Sequence, residues 1–269
     1  MEAAFFDLDK TIIAKSSVLA FGRSFYHEGL VGRSVIMKGI YAQIVYMLVG
    51  ADEEKMERMR ESMLALTRGW EQAKIARIVR ETMEETISPI IYREALELFA
   101  EHRVAGRRVV IVSSSPVEIV RPLVDYLGVD DCIATRAEID AEGRYTGELA
   151  FYAYGPHKSD AISAYARTYD IDLDASYAYS DSVTDLPMLE AVGHAVAVNP
   201  DKELAAEARE RGWEIRDFEH PVRLRDRVPT PPAGPAIAIG GVLTAAAAGA
   251  TVWWFLRRRN LAGSPATPV

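Results

Sequence analysis

Along residues 1–227, short apolar runs alternate with stretches in which apolar residues recur every three or four positions. That alternation predicts strands joined by helices packed on both faces of a parallel sheet. The predicted strands are Ala3–Phe6, Val109–Val112, Tyr177–Tyr179 and Ala195–Val198, and the predicted helices are Tyr92–Arg103, Glu118–Leu127, Lys158–Tyr169 and Leu186–Ala191. The expected fold class is α/β, a doubly wound parallel sheet. Two segments interrupt the pattern. From about Ser16 to Ser88 there is no strand pattern but several helical ones, including Asp52–Leu66 and Trp70–Thr86, which reads as a helical insertion after the first strand. Cys132–Tyr154 carries Glu142-Gly143 at its middle and Gly147 later, which reads as a hairpin projecting from the core.

The pattern changes again at the C-terminus. Val228–Pro235 contains four prolines in eight residues, the composition of an extended, semi-rigid spacer. The next 21 residues, Ala236–Leu256, carry no charge. As a helix they would span about 30 Å, the thickness of a bilayer core. The stretch closes with Trp253-Trp254-Phe255 and then Arg257-Arg258-Arg259, an aromatic belt followed by cations suited to an interface. The expectation is a single transmembrane helix at 236–256, with residues 257–269 as a basic, disordered tail. The alternative is an Ala-rich helix packed on the protein or lying at an interface, because Ala and Gly dominate its middle. Gly240 and Thr244 offer a small-residue face for helix pairing, a spacing that also arises by chance in such a stretch.

Composition narrows the function classes. The chain has 269 residues, 49% hydrophobic and 26% charged, which suits a folded protein and excludes a largely disordered one. A net charge of -8 argues against a nucleic-acid partner, which would need a basic face. The lone cysteine, Cys132, excludes an internal disulfide. Met1–Asp7 lacks the basic and long apolar regions of a signal peptide. The arginines Arg211, Arg216, Arg223, Arg225 and Arg227 ahead of the uncharged stretch slightly outnumber those after it, which favours a cytoplasmic main domain on a cell-membrane anchor.

Candidate chemistry begins where the first strand stops. Asp7 and Asp9 stand two positions apart at a strand's carboxyl end, the place where open α/β sheets bind ligands. One such acid can attack an electrophile while the other moves protons to the leaving group and from water; an acidic strand-end loop also occurs for turn or solubility reasons. A second acid pair, Asp181 and Asp185, follows the strand Tyr177–Tyr179. Hard oxygen ligands of this kind suit Mg²⁺ shared with a substrate phosphate, although Asp185 is also placed to cap the helix beginning at Leu186. Val109–Val112 ends in Ser113, followed by Ser114 and Ser115, whose backbone N–H groups could face an anion. Lys158, at a helix start, supplies a fixed cation.

Together, Asp7-Leu8-Asp9-Lys10-Thr11, Ser113, Lys158 and Asp181-Ser182-Val183-Thr184-Asp185 resemble the four motifs of the haloacid dehalogenase superfamily, with an insertion like the helical cap of the subclass that includes phosphoserine phosphatases. The resemblance spans about residues 1–220. It implies a catalytic core of residues 1–15 and 89–227, a helical cap of residues 16–88, and a Mg²⁺-dependent phosphomonoesterase. It further implies Asp7 as the nucleophile forming an aspartyl-phosphate and Asp9 as general acid/base. Ser113, Ser114 and Lys158 would hold the substrate phosphate. Asp7, Asp9 through its main-chain carbonyl, and Asp181 would hold the metal, with Asp185 supporting that site either from behind its ligands or by orienting Lys158. The diffuse negative charge of a phosphoryl group fits such an arrangement. Asp9-Lys10-Thr11 also resembles the start of the P-type ATPase signature, but Ile12 stands where that signature has glycine.

Substrate identity is less constrained. Nine positions after the nucleophile, where phosphoserine phosphatases carry a glutamate for the substrate amine, this chain has Ser16, which argues against a zwitterionic substrate. Arg33, Arg58, Arg60 and Arg68 are available for a carboxylate or second phosphate, or are solvated surface residues. The apolar stretch Val35–Val49, 15 residues interrupted by Lys38 and Gln43, is too short to span a bilayer; it reads as a helix buried in the insertion or as a contact for lipid or an acyl chain. With a membrane anchor, the latter suggests a lipid phosphate such as a lysophosphatidate or phosphatidylglycerophosphate. The alternatives are phosphoserine phosphatase proper, and a membrane-tethered binding or scaffold module on a hydrolase fold. A metal-using glycosyltransferase would explain Asp7 and Asp9 but leave Ser113, Lys158 and the second acid pair without a role.

Overall fold

The computed structural model describes residues 1–32, 60–62 and 64–221. Seven strands form one sheet: β1 (Ala3–Phe6), β2 (Arg108–Pro116), β3 (Asp131–Ile139), β4 (Tyr145–Phe151), β5 (Tyr177–Ser180), β6 (His194–Val198) and β7 (Glu214–Arg216). Their order is β4-β3-β2-β1-β5-β6-β7. Every neighbouring pair is parallel except β3 with β4. The helices are α1 (Ser17–Ala20), α2 (Gly22–His27), α3 (Gln72–Thr86), α4 (Arg93–Val104), α5 (Val117–Leu127), α6 (Pro156–Tyr169), α7 (Leu186–Glu190) and α8 (Lys202–Arg211). Residues 60–62 and 64–67 are also helical.

The two-residue period of the central strands divides the core in two. Ala4, Phe6, Val109, Ile111, Tyr179, Val196 and Val198 face one side, where they meet Phe99 of α4 and Ile119, Val120 and Leu123 of α5. Ala3, Phe5, Val110, Val112, Ala178, Ala195 and Ala197 face the other, against Ile162 and Ala166 of α6, Met188 and Leu189 of α7 and Leu204 and Ala208 of α8. Burial on both faces explains why these strands read as continuous apolar runs. Phe6 illustrates the packing, lying edge-on to Phe99 at 4.8 Å and stacked on Tyr179 at 4.2 Å; full burial of such a side chain contributes about 1.5–3 kcal/mol. Gly193, just before β6, is there because a Cβ would fall 1.7 Å from the Asp174 carbonyl oxygen.

The predicted strands and helices are present, with ends moved by a few residues. Among the described residues β7, α8 and the extension of β2 through Ser113–Pro116 went unpredicted. Where a projecting hairpin was expected, β3 lies in the sheet first, pairing in parallel with β2 from Val110–Asp131 onward, and only its second half turns back with β4. The reason is that Ile133 and Ala134 are buried, so this half of β3 gains more by extending the core than by leaving it.

The hairpin tip reaches the inserted helical segment. Gly69 N–H donates to the Tyr145 carbonyl at 2.8 Å, Tyr145 N–H to Trp70 at 3.0 Å and Gln72 N–H to Gly143 at 3.1 Å. Arg144 adds a 2.8 Å ion pair with Glu71. Beneath them the Gln72 amide donates to buried Glu118 at 2.8 Å.

The stretch Val35–Val49, Arg33 and Arg58, most of Asp52–Leu66, the linker 228–235, the expected span 236–256 and the tail 257–269 lie outside the described residues. Among the described residues, no helix is long and apolar enough to cross a membrane, so the transmembrane expectation has no support from the fold.

Candidate active site

The parallel registers bring the site together. Phe6 is opposite Ile111 of β2 and Tyr179 of β5, so the residues that follow each strand converge at one edge of the sheet. Asp7 N–H donates to the Tyr179 carbonyl at 2.9 Å, which continues the ladder by one residue and fixes the carboxylate. Asp7, Ser113, Lys158, Asp181 and Asp185 are all buried, between 2% and 7% exposed. The expected cluster therefore assembles from four separate places in the chain.

Lys158, in the first turn of α6, sits at its centre. Its Nζ donates to Asp7 Oδ1 at 2.6 Å and to Asp185 Oδ2 at 2.7 Å. Asp185 also accepts the Ser180 hydroxyl at 2.7 Å. Its side chain caps no helix N–H, so the capping alternative gives way to one in which Asp185 orients Lys158. Burial works against the Lys158 charge, but Asp185 and then Asp7 outweigh it and hold the ammonium above a lysine's usual range. Burial raises the Asp7 carboxyl well above the usual carboxylate range; Lys158 opposes that shift, while Asp185 and Asp181 reinforce it. Asp181 is pushed up to about 7 by burial, opposed by Lys10 and reinforced by Asp185. Lys10 approaches Asp181 Oδ2 at 3.5 Å.

Asp9 is held apart from that cluster. Its Oδ1 accepts the Ser17 N–H at 2.9 Å, and its Oδ2 accepts the Ser115 hydroxyl at 3.5 Å. The Ser17 and Ser115 hydroxyl oxygens are 2.7 Å apart. Burial raises the Asp9 carboxyl, and its bonds from Ser17 limit the rise. One expectation about the serines changes. Ser115 does not turn its N–H to an anion, because that group donates to Ser113 Oγ at 3.1 Å. Ser114 is the exposed member of the trio.

Two participants, Ser17 and Asp201, were missed, and Ser115 takes a role other than the expected one. Ser17 and Ser115 frame Asp9, and nothing in their local pattern announces it because they are 98 residues apart. Asp201 had a legible signal, an acid at a helix start. Its Oδ1 caps α8 through Leu204 N–H at 2.8 Å, its Oδ2 accepts Val183 N–H at 2.9 Å, and its own N–H donates to the Asp181 carbonyl at 2.7 Å. It thus braces the loop carrying Asp181. Of the arginines, Arg60 lies over the Tyr152 ring at 5.1 Å, and Arg68 is exposed against Gly147.

A doubly wound sheet with buried acids and a buried lysine at its carboxyl edge defines an α/β enzyme built to handle a charged ligand. The sequence profile of the haloacid dehalogenase-like hydrolases matches residues 4–190, and the chain belongs to that family. A Streptomyces azureus protein named "Inhibition of morphological differentiation protein" is 50% identical, with 96% of this chain and 94% of that protein covered. A Mycobacterium tuberculosis protein named as a probable phosphatase is 49% identical, with 95% and 89% covered. A Bordetella pertussis protein solved without an assigned function has a TM-score of 0.70 at 27% identity, over 80% of this chain and 98% of that one. The expected hydrolase class thus stands.

Proposed function

We propose that the protein is a Mg²⁺-dependent phosphomonoesterase that works through a phosphoaspartate on Asp7. The observation that carries this reading is the Asp7 carboxylate at the end of β1, with Lys158 fixed 2.6 Å from one oxygen by its second bond to Asp185. The kinship with a protein named as a probable phosphatase points the same way.

The donor set fits Mg²⁺. Asp7 and Asp181 are buried carboxylates whose charged forms burial disfavours, so each gains from a divalent cation placed beside it. Asp7, Asp181 and the Asp9 carbonyl would hold the ion. A set of two carboxylates and one carbonyl completed by water suits Mg²⁺. Bound there, the ion would neutralise charge on the transferred phosphoryl group.

The chain's own residues supply the rest. An Asp7 oxygen attacks phosphorus in line while Asp9, raised by burial, protonates the departing ester oxygen. Asp9 then takes a proton from the water that attacks phosphorus, and Asp7 is released with inorganic phosphate. Lys158, the Ser113 hydroxyl and the Ser114 N–H hold the phosphoryl oxygens throughout.

Ser16, the residue before α1, adjoins Ser17 on Asp9 and offers no charge to a substrate amine, so a non-zwitterionic ester fits better than phosphoserine. The uncharged stretch at 236–256 supports a membrane tether, the arginine excess ahead of it a cytoplasmic catalytic domain, and the tether a lipid phosphate as substrate. The test is phosphate release by the full chain in detergent across phosphoserine, sugar phosphates, nucleotides and lipid phosphates, with and without Mg²⁺. Mg²⁺-dependent release that Asp7→Asn abolishes is expected, with lipid esters preferred; no release from any ester would refute the phosphatase reading. Full-length protein should sediment with vesicles and a chain ending at Arg227 should not; equal recovery of both in the supernatant removes the tether.

A further inference from the structure

Lys10 is one of three non-glycine residues among those described with a positive φ, at 62°. Glycine takes this backbone without strain, whereas a lysine there is strained and so marks a position where the side chain is used. The surrounding turn leaves no room to relax. The Leu8 carbonyl accepts N–H bonds from Ile12 at 2.9 Å and Ile13 at 3.1 Å, and Leu8, Ile12 and Ile13 are wholly buried. The strained backbone sends the side chain to Asp181, with Nζ 3.5 Å from Oδ2; the lysine side chain is 46% exposed and the carboxylate 8%. The buried cation of the site is engaged elsewhere, since Lys158 is bonded to Asp7 and Asp185.

We propose that Lys10 is a tethered counter-ion for Asp181 that competes with the divalent cation and sets how tightly the site holds it. The inference rests on the metal reading above. An uncompensated buried carboxylate is costly, and Lys10 offsets that cost while no metal is bound. A divalent cation arriving at Asp181 then meets a positive charge already there, and either displaces it or binds against its repulsion. Because the ammonium is half exposed, water and salt screen the repulsion, so the effect is several-fold rather than many orders of magnitude. Lys10 acts here as a positioning residue through Asp181, with no contact to substrate required.

The test is calorimetric titration of Mg²⁺ alone into the metal-free full chain at low salt. Wild type is compared with Lys10→Met, which keeps the stem and removes the charge, and with Lys10→Gly, which also fits the left-handed backbone and remains foldable if the Met variant is not. Lys15→Met, an exposed lysine nearby, serves as the control. The expected result is a Mg²⁺ Kd lowered about three- to tenfold in both Lys10 variants and unchanged in the control. The difference should shrink as salt is added, and the metal-free Lys10→Met chain should melt below wild type. An unchanged or higher Kd in both Lys10 variants overturns the proposal. If wild type binds Mg²⁺ and Asp181→Asn abolishes it while Lys10 variants bind like wild type, the counter-ion idea alone falls. If wild type binds no Mg²⁺, the metal reading falls and takes this inference with it.

Discussion

Lys158 and Asp7 are partners whose removal should have opposite consequences. Lys158 is 3% exposed on its side chain and bridges two carboxylates, so Lys158→Ala leaves both buried without their cation. It should cost about 3–5 kcal/mol of stability, the usual penalty for breaking a buried pair from one side, read as a lower urea midpoint. Asp7→Asn removes a carboxylate whose charged form burial disfavours. It should unfold no more readily than wild type while losing hydrolysis, because buried active-site charge is held at the expense of stability. If Asp7→Asn proved as unstable as Lys158→Ala, the assignment of Asp7 as the costly member would be wrong. The residue types of this cluster were legible in the chain, whereas the Ser17–Asp9–Ser115 frame was not, since its members meet only after the sheet and the insertion have folded.

Among the elements, α4 carries a buried titratable group against the sheet. His102 is 3% exposed, packs edge-on to Phe6 and Tyr179, and its Nε2 lies 2.8 Å from the Tyr179 hydroxyl. Burial lowers it to about 4, with Arg107 and Arg216 adding to that shift and Glu2 opposing it. The folded chain therefore refuses a proton that the unfolded chain accepts near pH 6.5. The stability this group supplies is complete above about pH 6.5 and declines as pH falls toward 4, by up to about 3 kcal/mol. Asp181, raised to about 7, contributes in the opposite sense across an overlapping range, so the comparison must be differential. Urea unfolding of wild type against His102→Phe from pH 4 to 7 should show a steeper acid loss in wild type; parallel curves would mean His102 is not held neutral. α4 itself was legible from its apolar spacing. α8 escaped notice because its charged, Ala-rich surface buries only Leu204, Ala205 and Ala208, too narrow a stripe to read as periodicity.

For the molecule as a whole, the junction between the inserted helices and the sheet is the decisive feature. Backbone bonds from Gly69, Tyr145 and Gln72 clamp the start of α3 to the β3–β4 tip, and the Gln72 amide supports Glu118 on α5, 5% exposed. Burial and the Glu118 carboxylate beside it push the Tyr145 phenol well up, which keeps that ring neutral in the junction. Gln72→Ala withdraws a donor from a buried carboxylate and should cost about 1–3 kcal/mol. Its amide exchange should quicken at Gly69, Gln72 and Tyr145 while the β1 and β2 amides stay protected; uniform quickening would mean that the clamp and the core unfold as one. Glu118 stands three residues after Ser115, so the junction of β2 with α5 carries both the clamp and the frame of Asp9.

Local chemistry alone determined a great deal here. Apolar runs and helical spacings marked the main strands and helices, because burial on two faces or one stripe leaves a periodic trace in the chain. The acids, serine and lysine at strand and helix ends marked the site, because a doubly wound sheet delivers such ends to one edge. Only the tertiary structure decided that β3 belongs to the sheet, that Asp185 holds Lys158 rather than capping a helix, that Ser17 and Ser115 frame Asp9, and that Lys10 faces Asp181. Each of these depends on which residues far apart in the chain become neighbours, and that is set by registers and packing that no local spacing encodes.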